Sequence, residues 1–275
     1  MTRRCALAVA AHPDDIEFMM GGTLCLLVDR GWEAHYLALA NGNLGTGAYG
    51  PESIVLERAR ESAAGAARLG ATWHPSLVND AEILYTVDLV RRITAIVREV
   101  RPTIVLTQAP DDYMEDHICA SRVATTAAFN RNMPNFPSLP PVASYGDDVY
   151  VYHAQPHGLH DQLRRLVYPG LYVDVAGVIG RKQEALEAHA TQAAWLGDNQ
   201  AMSSPAEAMY EMSRTVGRMS ARYEVAEGWR RHSHLGFSAR DVDPLAAALP
   251  EVTHVDPAYE SWLRSHPVTG AQIPL

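Results

Sequence analysis

Two polar turns hold the residues best suited to chemistry. The first is His12-Pro13-Asp14-Asp15, with Glu17 two residues on; the second holds Asp111, Asp112, Asp116 and His117. Carboxylates crowded in this way repel one another unless a cation lies between them. Imidazole and carboxylate donors without thiolate suit a catalytic zinc ion, which takes three protein ligands and leaves a position open for water. His12 and Asp15 are three residues apart and can converge within one turn, with His117 as a distant third ligand. The competing explanation is structural. Asp14 and Asp15 also suit a helix N-terminus, where carboxylates meet free amides and the positive end of the dipole. Spacing alone leaves both readings open.

The elements around these turns predict where they lie. Cys5–Ala11 is a short, continuous apolar run of the kind buried on both faces of a parallel sheet. His35–Leu39 repeats the pattern, and Ile104–Thr107 is a third such strand. Between them, Glu52–Leu69 reads as a helix with Gly70 past its end. Val87, Val90, Ile93, Val97 and Val100 recur at amphipathic helical spacing, closed by Pro102. Strand–helix alternation predicts a parallel sheet covered by helices, in which ligands gather at the carboxyl ends of the strands. Both polar turns follow such ends. Further along, Val149–His153 and Leu171–Val175 read as strands, Val178–Trp195 and Ala206–His232 as helices, and Met133–Pro141 as a Pro-rich loop bordering the substrate cleft. No repeat or linker divides residues 1–275, so one domain is expected.

Composition narrows the function classes. The 47% hydrophobic and 20% charged content is that of an ordinary globular protein. A net charge of −9, with no basic cluster, argues against general nucleic-acid binding. No apolar run approaches the roughly 20 residues that a membrane helix needs. The apolar segment after Thr2-Arg3-Arg4 soon meets His12-Pro13-Asp14-Asp15, so no secretory core is read there. Three scattered cysteines argue against a disulfide framework and for a reducing cytoplasm. Monomer and symmetric homo-oligomer are equally compatible with the sequence.

The chain also resembles a known family. Ala11-His12-Pro13-Asp14-Asp15-Ile16-Glu17 followed by Gly21-Gly22-Thr23-Leu24 is similar to the opening motif of the PIG-L/LmbE-like zinc-dependent N-deacetylases. Further likenesses follow in order: Arg58-x-x-Glu61, Asp112-Tyr113-Met114-Glu115-Asp116-His117, Lys182-Gln183-x-Ala185-Leu186-x-x-His189-x-x-Gln192, and Tyr223 to Arg231 with Ala226-Glu227. The resemblance implies a Rossmann-like α/β/α sandwich with a mostly parallel sheet and C-terminal helical elaboration. It implies His12, Asp15 and His117 as zinc ligands, Asp14 as general base and Arg58 as a contact to substrate or developing charge. The implied reaction is removal of the acetyl group from an N-acetyl amino-sugar, as zinc-bound water attacks with Asp14 accepting its proton.

One residue departs from the pattern. Met114 stands where relatives carry the first His of His-x-x-Asp-His. That His helps stabilise the transition state in the family, with the next Asp, here Asp116, orienting it. Methionine donates no hydrogen bond, so Tyr113 and Arg58 are the nearest replacements by sequence. Asp116 is then left to orient a ligating imidazole. Met114 motivates two rivals: a related zinc amidase for another acyl or thiol-conjugate amide, and a zinc-bearing sugar-binding protein with little catalysis. His153, His157 and His160 read as loop histidines, His189 and Gln192 as helix residues packed on the sheet, His232 and His234 as surface residues near a helix end, and Cys119 as core. Gly-x-Gly-x-x-Gly is missing after the first strand, which disfavours a dinucleotide enzyme.

Overall fold

The computed structural model describes residues 4–200 and 204–265; Thr2 and Arg3 of the amino-terminal reading lie outside them. The amino-terminal half follows the alternation above: β1 (Cys5–Ala10), α1 (Asp15–Asp29), β2 (Glu33–Ala38), α2 (Pro51–Leu69), β3 (Thr72–His74), α3 (Val87–Val100), β4 (Ile104–Thr107), α4 (Glu115–Asn130) and β5 (Tyr150–Ala154). The second half adds β6 (Leu171–Asp174), α5 (Ile179–Leu186), α6 (Ala190–Gln200), α7 (Pro205–Met219), β7 (Ala226–Arg231), α8 (Pro244–Ala248), β8 (Thr253–Val255) and α9 (Pro257–Ser265). The sheet order is β3-β2-β1-β4-β5-β7-β6-β8. Its first five strands are parallel, and β7, β6 and β8 join antiparallel to their neighbours.

All six residues of β1 are buried because alternate side chains serve two cores. Ala6, Ala8 and Ala10 pack with Ile16, Met20 and Leu24 of α1 and Ala66 and Leu69 of α2. Cys5, Leu7 and Val9 pack with Val90, Ile93 and Val97 of α3 and Cys119, Val123 and Ala127 of α4. Gly70 closes α2 as read, at φ 79°, and Thr86 caps the start of α3 by accepting the Leu89 amide.

Three expectations are corrected. Ala206–His232 is not helical throughout: α7 stops at Met219, and 226–231 form β7. Glu227 and Trp229 point inward and are buried, so this segment contributes a charge and an indole to the interior. Val178–Trp195 is split between Leu186 and Ala190, with His189 turned inward to Glu17. Met133–Pro141 does not border the cleft. Its Met133 and Phe136 carbonyls accept from Nη2 of Arg98, a buried α3 residue that also bonds the Asn130, Arg131 and Val142 carbonyls.

A buried ion pair joins the carboxyl-terminal strands to α1. Glu227 accepts from Lys182 Nζ (2.6 Å) and from the α1 amides of Gly22 and Thr23 (both 2.8 Å). Trp229 Nε1 donates to Thr23 Oγ1 at 3.0 Å. Gly22 makes room for this contact, since a Cβ there would lie 2.5 Å from Val175. Removing one partner of a buried pair strands the other charge. Glu227→Ala is therefore expected to cost about 3–5 kcal/mol in chemical denaturation, and Lys182→Met in the same chain to restore part of it.

Candidate metal and acid–base site

The site forms where β1 and β4 end side by side. β1 runs from its last apolar residue into His12-Pro13-Asp14-Asp15, and Asp14 makes the turn at φ 105°, ψ −25°. That backbone region costs a non-glycine residue about 1–3 kcal/mol and persists only where surrounding contacts hold it. Those contacts are visible. Asp15 Oδ2 accepts from the His12 amide (2.7 Å) and from Gln108 Nε2 (3.0 Å), while Gln108 Oε1 accepts from the Ala11 amide (2.9 Å). Gln108, the residue after β4, thus stitches the two strand ends together.

His12 Nδ1 and His117 Nε2 each lie 3.5 Å from Asp15 Oδ2, and the three donors form one group. A tetrahedral ion with bonds of roughly 2.0–2.2 Å needs donor separations close to this. The outer ring nitrogens are held by carboxylates: His12 Nε2 by Asp116 Oδ2 (3.1 Å), and His117 Nδ1 by Asp112 Oδ1 (3.0 Å). Asp116 Oδ2 also accepts from the Ala81 amide at 2.7 Å, and Asp112 Oδ1 from the Met114 amide at 3.2 Å. Such carboxylate–imidazole pairs fix ring orientation and leave the inner nitrogens for a cation. Two imidazoles and one carboxylate, geometrically convergent, fit zinc.

The electrostatics agree with a cation site. Burial alone would lower the His12 pKa, but hydrogen bonds to Asp116 and Asp15 outweigh it and raise it to about 10. His117 is likewise raised despite burial, by Asp15 and Asp112. Burial opposes ionisation of Asp15 and Asp116, yet the two imidazoles and the donated amides hold both below the usual carboxylate range. A cation taking these nitrogens must displace protons, which makes its affinity pH-dependent. Asp14 behaves oppositely: burial, then the neighbouring Asp15, pushes it up to about 7 against the pull of His189 and Arg58.

Arg58, on α2, is 2% exposed, and its Nε and Nη1 have no partner among the described residues. It is not a solvated helix-face arginine, and Glu61 is engaged elsewhere, by the Thr191 amide and hydroxyl. The loop over it uses glycine. A Cβ on Gly42 (φ +76°) would lie 2.9 Å from the Arg58 side chain, and one on Gly45 2.8 Å. His189 is more than packing: its Nε2 pairs with buried Glu17 at 3.0 Å, and Tyr36 donates to the same carboxylate. Gly65 lets α2 pass this pair, since a Cβ there would overlap Glu17.

The cleft, about 110 Å³, is lined by His12, Asp14, Asp15, Tyr113, Met114 and His117, with Phe18 and His157 beside them. A second compartment of about 350 Å³ shares Asp14 and Gln192 with it and reaches His189. Asp111 is exposed and stands apart from the cluster. The histidines after β5 separate. His157 rings Phe18 at 4.9 Å and Tyr113 at 5.9 Å, His160 is exposed, and His153 is buried behind Gln108. His232 directly follows β7 rather than a helix and meets His153 at 3.1 Å, while His234 is half-buried and Cys119 lies in the core. Sequence reasoning missed Gln108 and the placement of His157. A polar residue directly after a parallel strand was the available signal for the first; nothing local marked the second.

A family model described as PIG-L, GlcNAc-PI de-N-acetylase, matches residues 7–128, the stretch that carries both polar turns. Over 197 residues the chain is 29% identical to diacetylchitobiose deacetylase of Thermococcus kodakarensis, covering 68% of this chain and 69% of that protein. The structure is similar to N,N'-diacetylchitobiose deacetylase from Pyrococcus horikoshii (TM-score 0.71, 21% identity, 89% of each chain). It is also similar to GalB, the 4-carboxy-2-hydroxymuconate hydratase from Pseudomonas putida (TM-score 0.69, 24% identity, 87% of this chain and 98% of that one). The two solved structures establish a shared fold that serves a hydratase as well as a deacetylase, so the reaction must be argued from the site. Among the described residues no helix is long and apolar enough to cross a membrane.

His153 supports the site from behind. Its Nδ1–H donates to the Gln108 carbonyl (3.0 Å), and burial lowers its pKa to about 4. With a folded-state pKa below the usual histidine value of about 6.5, its contribution to stability is present above that pH and is lost as pH falls toward 4. His153→Gln is expected to remove up to about 3 kcal/mol of this acid sensitivity, read as the difference in unfolding free energy between variant and parent across that window.

Proposed function

We propose that this protein is a zinc-dependent deacetylase acting on an N-acetylated amino-sugar, free or carried on a larger small molecule. The observation that carries the proposal is Asp14: a half-buried carboxylate lining the cleft with its pKa raised to about 7, beside the converging donors of His12, Asp15 and His117. That is a base suited to neutral pH next to a site for a Lewis acid. The diacetylchitobiose deacetylase relative supports the reaction and the sugar class. Phe18, Tyr113 and His157 give the cleft aromatic walls of the kind that pack on a sugar ring. Three free, buried cysteines fit a reducing cytoplasm.

In this reading His12, Asp15 and His117 hold the zinc ion, which supplies polarisation of the acyl oxygen and acidification of water. Asp14 removes the proton from the attacking water and returns it to the departing amine. Asp116 and Asp112 are positioning residues that keep His12 and His117 aimed inward. Arg58 offers unpartnered guanidinium N–H groups to a substrate oxygen. His157 takes the role that Met114 leaves open. Burial lowers its pKa, so at neutral pH it is an uncharged donor facing the cleft.

The test is acetate release from a panel of N-acetyl amino-sugars, with metal-stripped protein before and after zinc addition; zinc-restored release is expected. One second reading has its own support. The buried, unpartnered Arg58 also suits a carboxylate, and a structural neighbour is a hydratase of a carboxylated substrate. Loss of ultraviolet absorbance from an unsaturated hydroxy-acid, without acetate release from any amide, would favour it. Longer acyl and thiol-conjugate amides in the same assay separate a broader amidase, and zinc-dependent sugar binding without turnover would mark a binding protein.

Asp14→Asn is expected to retain zinc while lowering kcat about 10²–10⁴-fold, measured with parallel metal analysis. His157→Ala is expected to lower kcat about 10²–10³-fold with KM little changed, and His157→Asn to recover part of the loss.

A further inference from the structure

A second cavity, about 540 Å³, opens between α4 and the end of β7 and shares no residue with the cleft. Ser121, Arg122 and Thr125 of α4 line one side, Arg230 and His232 another, and Tyr259 of α9 the third. Its chemistry is unbalanced. Arg230 Nε and Nη2 are buried without a hydrogen-bond partner among the described residues, and so is the Thr125 hydroxyl. The neighbouring Arg231 shows the contrast, since it is paired with Asp241 at 2.9 Å. Asp111 and Tyr259 are the acidic groups whose fields reach Arg230, and neither bonds its guanidinium.

Nε and Nη2 form one edge of a guanidinium, with two parallel N–H groups matched to two oxygens of a carboxylate or phosphate. A desolvated guanidinium edge without a partner is destabilising, and an anion seated on it offsets that cost. In a chain of net charge −9, three arginines and two histidines around one cavity do not arise from overall composition. We infer that this cavity is a binding site for a small oxyanion, carboxylate or phosphate, seated on the Nε/Nη2 edge of Arg230 with Thr125 and Arg122 as further donors.

The test follows the unfolding temperature and calorimetric binding of full-length protein with inorganic phosphate and, separately, succinate, at constant ionic strength set with chloride. Phosphate or succinate is expected to stabilise the parent, and the stronger of the two identifies the anion class. Arg230→Gln should abolish the response yet unfold no earlier than the parent in chloride alone, because it removes an unpaired buried charge. Arg230→Lys, which keeps the charge and loses the fork, should raise Kd about tenfold or more. Arg58→Gln should respond as the parent does, which separates this cavity from the cleft. Three results would overturn the site: no response beyond chloride, an undiminished response in Arg230→Gln, or loss of the response in Arg58→Gln alone. Should Arg230→Gln fold poorly, the Kd of Arg230→Lys decides.

Discussion

Everything at the candidate site depends on β1 and β4 lying side by side although about a hundred residues separate them in the chain. From β1 the sheet grows one way through β2 and β3, and the other way through β4 and β5. The crevice at such a reversal, outside the carboxyl ends of the strands, is where open α/β sheets hold ligands. Here the crevice is closed by one amide side chain: Gln108 accepts from the β1 side and donates to Asp15. Without that register the two polar turns would be separate, and each would carry too few donors for a metal ion.

The same place concentrates charge, and the fold answers it in two ways. Asp15 and Asp116 are surrounded by imidazoles and amides that favour their ionised forms. Asp14 has weaker compensation and is pushed toward neutrality by burial and by Asp15. Adjacent carboxylates of identical intrinsic acidity are thereby split into one suited to ligation and one suited to proton transfer. Glu17 shows a further outcome, sequestered with His189 and Tyr36 beneath the cleft.

The carboxyl-terminal region contributes by bracing rather than by ligation. Glu227 and Trp229 of β7 reach α1 behind the opening motif, and α5 supplies Lys182. That ion pair steadies the helix whose first residue is Asp15. His157, delivered after β5, brings an imidazole into the cleft where Met114 offers none.

The amino-terminal half was legible in the sequence because its signals are local. Continuous apolar runs mark strands buried on both faces, helical spacing marks α2 and α3, and Gly70 and Pro102 mark their ends. His12, Asp14, Asp15, Asp116 and His117 were legible as chemistry from residue type and crowding, and the PIG-L resemblance ordered them into roles. What the tertiary structure decided was everything that depends on contacts across many residues. Glu227 in β7 carried no local sign of its burial, because its partners Lys182 and the α1 amides are distant in the chain. Gln108 and His157 carried no local mark, since a hydrogen bond to Asp15 and a place in the cleft exist only after the strands have assembled. The burial of Arg58 and the raised pKa of Asp14 were equally out of reach. Sequence records which groups are present, but desolvation and field depend on what the fold packs around them.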